Sequence, residues 1–164
     1  MQLPSQSVMR FWLEAAFEKY GMIPYHASED APSTAKELFA WANENTLGVD
    51  SMPVYSGGCE GNIYGAPEAN YAFRAWHDSI HIKEEFDFSL DGEVKSSNKH
   101  LEVLSGLNAP TEVIKAFQAD VEGQARYYHA SGKQFVDNQI RFVEECMWYG
   151  IPTVIDWVSS GKRY

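Results

Sequence analysis

Hydrophobic residues recur every three or four positions along most of the chain, a period that predicts helices rather than strands. The first such stretch runs from about Ser5 to Tyr20, after Pro4 and before Gly21, which are typical start and stop signals. Similar segments follow, most of them joined by short turns. The pattern predicts a mainly α fold, a single-domain helical bundle of about six helices.

Capping residues mark the starts of the later helices. Thr34 and Glu37 form a candidate capping box for the second helix, and Ser89 and Thr111 are candidate caps for the fourth and fifth. The third helix is predicted to run from Glu68, after Pro67, to about Phe86, the sixth from about Lys133 to Tyr149, and a short terminal helix from Ile151.

One long connection separates the second and third predicted helices. Residues 47–66 are rich in glycine and show no sustained period, although a short strand is expected around Pro53 to Tyr55. Loops of this length in a compact domain are often functional. Two interpretations stay open, a lid over a neighbouring site and an irregular packed connection.

Composition narrows the class of protein. A chain of 164 residues fits one domain, which we place at residues 1–164. The formal charge of -10 argues against an extended nucleic-acid surface, because such surfaces need clustered Lys and Arg. No apolar run reaches the length of a membrane span, and the N-terminus has no signal-peptide pattern, so we expect a cytoplasmic protein. Cys59 and Cys146 indicate neither a disulfide framework nor a thiolate zinc site.

The strongest candidate chemistry lies in the third predicted helix. Its sequence F-R-A-W-H-D-S-I-H-I-K-E-E contains His77, Asp78, His81 and Glu84. Residues four apart lie on the same helical face, so the two histidines should stack one above the other. Such a pair can bind a metal ion, and it can equally be satisfied by hydrogen bonds in a polar core.

The next two predicted helices offer acidic partners for these histidines. Neighbouring helices joined by short turns should pack antiparallel, and bundles build metal sites from residues that face a shared interior. We therefore expect a metal-site bundle in residues 66–149. The expected metal ligands are His77, His81, Glu93, Glu122 and His100, and the expected acid-base residues are Asp78, Glu84 and Glu122. Imidazole and carboxylate ligands suit a divalent zinc, iron or manganese ion.

The order of these motifs resembles an uncharacterised family of phage-encoded proteins. The family signature reads F-R-x-x-H-D-x-x-x-H, then G-E, a later His, and E-x-x-G-Q or a close variant. The resemblance covers about Phe73 to Tyr128 and implies phage origin and a metal-like cluster, without implying a reaction. This chain departs from the signature at Ile80 and in its tighter E-G-Q spacing. By this resemblance the marked positions are His77, Asp78, His81, Gly92, Glu93, His100, Glu122, Gly123 and Gln124.

Two classes of metal enzyme compete at this point. The His77-Asp78 doublet resembles the centre of HD-domain metal phosphohydrolases, which would take His26 as an upstream ligand and Asp120 or Asp137 as a distant one. A ferritin-like di-iron oxidase needs a carboxylate-x-x-His motif on each of two helices. Only Asp78 to His81 supplies that motif, because Ser96 and Ala125 stand three residues after Glu93 and Glu122.

The sequence thus predicts a metal-dependent phage enzyme, a hydrolase of a nucleotide or another small phosphate ester. An alternative outside enzymology is an acidic phage protein that binds and inhibits a host factor, with the histidines serving only the fold. In either case we expect the protein in the host cytoplasm, with no membrane contact. The oligomeric state stays open.

Overall fold

A computed structural model describes residues 1–161, and it confirms the predicted mainly helical fold. Helices occupy most of this range and surround one hydrophobic core that includes Trp76, Phe117 and Phe142. The helices are α1 (Gln6–Tyr20), α2 (Ala35–Glu44), α3 (Pro67–Glu84), α4 (Leu90–Gly106), α5 (Thr111–Gln118), α6 (Gln124–Ala130), α7 (Gln139–Tyr149) and α8 (Ile151–Ser159). No helix within residues 1–161 combines the length and apolarity needed to cross a lipid bilayer.

Side-chain caps account for two of the predicted helix starts. The Thr34 hydroxyl accepts a hydrogen bond from the backbone N–H of Glu37, and the Ser89 hydroxyl accepts one from Gly92. Each bond satisfies a backbone donor that has no partner inside the helix. Thr111 is instead the first residue of α5. The preceding proline occupies the cap position and makes no side-chain hydrogen bond there.

The predicted sixth helix, Lys133 to Tyr149, starts too early. In the structure α7 begins only at Gln139, after an irregular segment. Gly132 and Lys133 both have positive φ angles, 75° and 66°, which an α-helix does not accommodate. The Asn138 side chain then accepts a hydrogen bond from the Arg141 N–H and caps the helix.

A π-helical turn, Ala119–Gly123, joins α5 to α6, so that the three segments form one continuous helix. The turn packs against α7, where a Cβ atom at Gly123 would lie 3.2 Å from the Phe142 ring. A π turn inserts an extra residue per turn and changes the direction in which the following side chains point. The sequence shows no sign of this change.

Two short strands accompany the helices, β1 (Tyr25–Ser28) and β2 (Met52–Tyr55), and they pair in parallel. The second matches the strand expected around Pro53 to Tyr55. The first lies in a segment interpreted only as a connection, because four residues are too few to show a period. Both strands contact α3, which is the helix that carries the histidines.

Candidate metal centre and its cleft

Helices α3 and α4 bring together His77, His81 and Glu93. The Nε2 atoms of the two histidines lie 3.0 Å apart, and the Glu93 carboxylate lies 3.2 Å from His77 Nε2 and 3.5 Å from His81 Nε2. In the part of the chain that the structure describes, these three residues form a group whose ligand atoms all lie within 4.8 Å of one another. Two nitrogens bound to one tetrahedral zinc ion are separated by about 3.3 Å, so the group can hold a metal ion.

Local backbone structure explains how Glu93 reaches α3. The chain leaves α3 at Glu85 in a left-handed conformation, with φ 57°, and starts α4 after only a few residues. Gly92 then packs against the Asp87 backbone so closely that a Cβ atom would overlap it. Glu93, the next residue, is thereby held in the first turn of α4 against the histidine face.

The proton on His81 is placed by a backbone carbonyl. His81 Nδ1 lies 2.8 Å from the Phe86 carbonyl oxygen, which can only accept a hydrogen bond. Nδ1 therefore carries the proton, and Nε2 presents a lone pair toward His77 and Glu93. The Ser96 hydroxyl lies 3.3 Å from the same Nε2 atom and is fully buried.

His100 lies behind His77, outside the three-residue group. Its Nε2 atom is 3.0 Å from His77 Nδ1, and its Nδ1 atom is buried without a hydrogen-bond partner among residues 1–161. Burial, together with the charges of His77 and His81, holds the pKa of His100 well below its usual value, so that this ring is neutral. When His77 donates to His100, the His77 Nε2 atom also presents a lone pair to the site. With the opposite tautomers of both rings, His77 Nε2 would donate a hydrogen bond to Glu93, and a lone pair would be buried at His100 Nδ1.

The site is electrostatically coupled even without an ion. Burial would raise the pKa of Glu93, but the neighbouring imidazoles, His77 before His81, lower it below its ordinary value. Burial likewise opposes protonation of His77, yet the neighbouring Glu93 raises the pKa of that ring. The carboxylate is therefore ionised, as a metal ligand must be.

Glu122 and Glu84 lie apart from this group. The Glu122 carboxylate accepts hydrogen bonds from Arg126 at 2.8 Å and from Gln118 at 3.0 Å. Glu84, near the end of α3, accepts a hydrogen bond from the Tyr20 hydroxyl and lies 3.5 Å from Lys99 Nζ. The structure thus gives both residues structural partners on other surfaces of the bundle.

Asp78 lies next to His77 in sequence but is not among the described residues that line the cleft. Burial raises the pKa of Asp78 to about 6, against the charges of His77 and His81.

Of the residues that the HD-domain resemblance would use, His26 lies on β1, with its Nδ1 atom 2.8 Å from the Ser51 hydroxyl. It is not brought to the metal group.

The metal group opens into a cleft of about 790 Å³, which His77 and Glu93 both line. One wall is a single face of α3, on which Asn70, Phe73, Arg74 and His77 follow at helical spacing. The opposite side comes from the π turn and α6, with aromatic and amide side chains. Arg74 belongs to the F-R-x-x-H-D motif of the sequence, whereas Asn70 could not be recognised in advance, because a lone polar residue on a helix has no motif.

The long connection between α2 and α3 forms another wall of this cleft. Tyr55, Gly58 and Glu60 all line it. The Arg74 guanidinium donates hydrogen bonds to the carbonyl oxygens of Tyr55, Gly57 and Gly58. The segment is therefore fastened to the histidine helix one turn before His77, beside the metal group.

The π turn places a further carboxylate, Asp120, in the cleft. Its oxygens accept hydrogen bonds from the Tyr64 hydroxyl at 2.9 Å and from the Gln124 amide at 2.6 Å. Burial raises the pKa of Asp120 to about 6, although both hydrogen bonds oppose this shift. Because neither bonding partner is a cation, Asp120 is a buried carboxylate poised to exchange a proton near neutral pH.

The chain matches no protein-family model, and neither a curated protein nor a solved structure matches it at a significant level. The residues themselves are therefore the basis for what the site can do.

Proposed function

We propose that the chain is a metal-dependent hydrolase of a small phosphate ester, with one divalent ion held by His77, His81 and Glu93. The supporting observation is the convergence of these three side chains at one edge of a cleft large enough for a small molecule. Three protein ligands leave a coordination position open, which is typical of catalytic rather than structural sites.

The hydrogen bonds behind the ligands support this proposal. The Phe86 carbonyl binds His81 Nδ1, so that the lone pair of His81 Nε2 faces the site. His77 Nδ1 lies within hydrogen-bond distance of His100 Nε2. With His77 donating to His100, two lone pairs and a carboxylate meet, and the Ser96 hydroxyl lies beside them. Such a concentration of acceptors is unfavourable unless a cation or an added proton is present.

Asp120 is the side chain that we assign as general base. A divalent ion at such a site activates water as a nucleophile and offsets charge on the phosphoryl oxygens. The oxygen of that water forms a bond to phosphorus and the ester P–O bond breaks, giving phosphate and an alcohol. Asp120 takes the proton from the water, and the leaving alkoxide receives a proton from solvent. A pKa of about 6 suits a base that works near neutral pH.

We favour zinc as the ion, since two imidazoles and one carboxylate form a common catalytic zinc set. The same set also binds iron(II) in mononuclear oxygenases, so an iron oxidase is the second candidate function. A ferritin-like di-iron site would need further carboxylate and histidine ligands. Within residues 1–161 one group of three potential ligands is found, which gives the di-iron alternative no support.

We retain the phage origin that the sequence resemblance implies. His77, His81 and Glu93 belong both to the family signature and to the proposed metal group. The alternative of an acidic inhibitor of a host factor requires no metal. It becomes the better interpretation if the purified protein contains none.

The metal assignment is tested by elemental analysis of protein purified without added metal. We expect close to one divalent ion per chain, and release of inorganic phosphate from small phosphate esters that is lost with a chelator and restored by zinc. His81→Ala and Glu93→Gln should each remove the ion, because each deletes one of three ligands. Glu93 is about one-fifth exposed, so its variant should keep the fold even where His81→Ala does not.

His26→Ala is the matched control, since it removes an exposed histidine remote from the group. It should retain the metal content and activity of the unaltered chain. A full complement of metal in Glu93→Gln, or none in the unaltered chain, would overturn the assignment. Bound iron with an oxygen-dependent reaction would favour the oxidase.

A further inference from the structure

A largely buried amide side chain, that of Asn70, faces the cleft without a hydrogen-bond partner in residues 1–161. Asn70 is 6% exposed and lines the cleft. Its backbone N–H binds the Ala66 carbonyl, but its side-chain amide makes no hydrogen bond to any residue between 1 and 161. The amide faces the cleft and is therefore available to bind a ligand there.

A second buried asparagine shows what a structural amide looks like in this fold. The Asn62 side chain donates to the Cys59 carbonyl at 2.6 Å. It also accepts hydrogen bonds from the backbone N–H groups of Tyr64 and Gly65 at 2.8 and 2.9 Å. Asn62 thus uses both ends of its amide to hold a turn, whereas Asn70 uses neither.

The position of Asn70 relative to the metal group defines the shape of the ligand. Asn70 and His77 lie seven residues apart on one face of α3, which corresponds to about 10 Å along the helix axis. Phe73 lies between them and stacks on Tyr64, His77 and His100, whereas Tyr128 lines the cleft from α6. A molecule that fits this cleft from the metal group to Asn70 would carry a phosphate at one end, a flat surface for contact with Tyr128, and a hydrogen-bonding edge at the other end.

We propose that the substrate is a nucleoside monophosphate and that Asn70 binds the edge of its base. This inference rests on the proposed hydrolase function. An asparagine amide offers a donor and an acceptor side by side, which matches the adjacent donor and acceptor on the edge of a nucleobase. Aromatic side chains bind base faces without regard to sequence, and the span of the site is comparable to the length of a mononucleotide.

The test compares nucleotides with a substrate that lacks the base. Phosphate release is measured for AMP, CMP, GMP and UMP and for ribose 5-phosphate, with the unaltered chain and with Asn70→Leu, which is nearly isosteric. We expect kcat/KM for the best nucleotide to exceed that for ribose 5-phosphate. Asn70→Leu should lower the nucleotide value about tenfold or more, because it removes the bonds to the base. It should leave the ribose 5-phosphate value unchanged.

Thermal unfolding separates recognition from a structural role. Since Asn70 has no bonds to lose within the protein, Asn70→Leu should keep or raise Tm. A structural asparagine would lose stability on the same change. Asn98→Leu, at an exposed position of α4, is the matched control and should alter neither Tm nor the ratio of the two substrates. A fall in Tm without a change in that ratio would overturn the inference.

Binding of the four nucleosides without phosphate, followed by calorimetry, distinguishes this inference from the hydrolase proposal. If a nucleoside binds the full chain and Asn70→Leu weakens it, while no phosphate ester is cleaved, the base subsite stands and the hydrolase proposal falls. If esters are cleaved but no nucleoside binds, or Asn70→Leu binds nucleosides equally well, the subsite is refuted and the hydrolase proposal stands.

Discussion

At the scale of single residues, the nitrogen atom that each histidine presents to the site is determined by the contact that its other ring nitrogen makes. His81 faces the site with Nε2 because the Phe86 carbonyl holds its other nitrogen, and His77 is engaged in the same way by His100. The i,i+4 spacing predicted that the two rings share a face. It could not predict their orientation, because a carbonyl at residue 86 and a ring at residue 100 are contacts of the folded chain.

Replacing Asp120 by asparagine should remove catalysis but not the fold. If Asp120 is the general base, its pKa of about 6 predicts that kcat/KM rises as pH increases through 6. Asp120→Asn should lose that limb of the pH profile and about 10²- to 10⁴-fold in rate, the usual contribution of a general base. The groups around Asp120 are Tyr64, Gln124, His77 and Arg74. An unchanged limb near pH 6 would assign the base elsewhere.

The same carboxyl should affect stability in a defined direction. Its folded pKa lies above its unfolded value of 3.8, so the folded state takes up a proton as pH falls from above 6 toward 4. Asp120 therefore destabilises the fold above pH 6, by up to about 3 kcal/mol, and this penalty disappears at lower pH. Chemical denaturation of Asp120→Asn should show a weaker pH dependence between pH 4 and 7 than the unaltered chain.

At the scale of elements, the start of α4 determines whether the acidic ligand reaches the histidines. Ser89 caps the helix and Gly92 allows the Asp87 backbone to approach, which together position Glu93. The serine cap was recognisable in the sequence. The role of Gly92 was not, because its reason is a close approach of two backbone segments.

Gly92→Ala should therefore weaken both the fold and the metal site. The new methyl group overlaps the Asp87 backbone, and overpacking of this kind costs about 1–3 kcal/mol. Metal affinity, measured by competition with a chelator, should fall because Glu93 is displaced. Gly106→Ala, at the other end of α4, meets no atom within 4 Å and should leave metal affinity unaltered. Equal affinities in the two variants would refute this role for Gly92.

The π turn shows where prediction from sequence failed at the level of an element. Hydrophobic period located α5 and α6 correctly as one helical stretch. A regular helix through this stretch led us to expect Glu122 as a ligand and acid-base residue. In the structure Glu122 pairs with Arg126, and Asp120, two residues earlier, is the carboxylate that the π turn places in the cleft. The π turn is stabilised by packing on α7, which no local pattern reveals.

At the scale of the whole molecule, an ion would add a further link between α3 and α4, which already meet through His77 and His100 and through Ser96 and His81. His77 and His81 belong to α3 and Glu93 to α4, so metal binding should stabilise the folded state as a unit. A ligand at 100 times its dissociation constant contributes about 2.7 kcal/mol. For a chain of this size, that corresponds to a rise in Tm of about 5–10 °C.

Calorimetric scans with zinc and with a chelator measure this linkage. Glu93→Gln should show a much smaller rise, because only two ligands remain. If the variant and the unaltered chain respond equally to zinc, the stabilising ion is bound elsewhere.

The buried indole of Trp76 gives the molecule a built-in optical probe. Of the five tryptophans, Trp76 is the one that is fully buried, and its ring meets that of His100 edge to face at 4.1 Å. His100 in turn hydrogen-bonds His77. Metal binding to the imidazole pair should therefore alter the surroundings of a fluorophore sealed from solvent, so that Trp76 emission should report occupancy of the site without any attached dye.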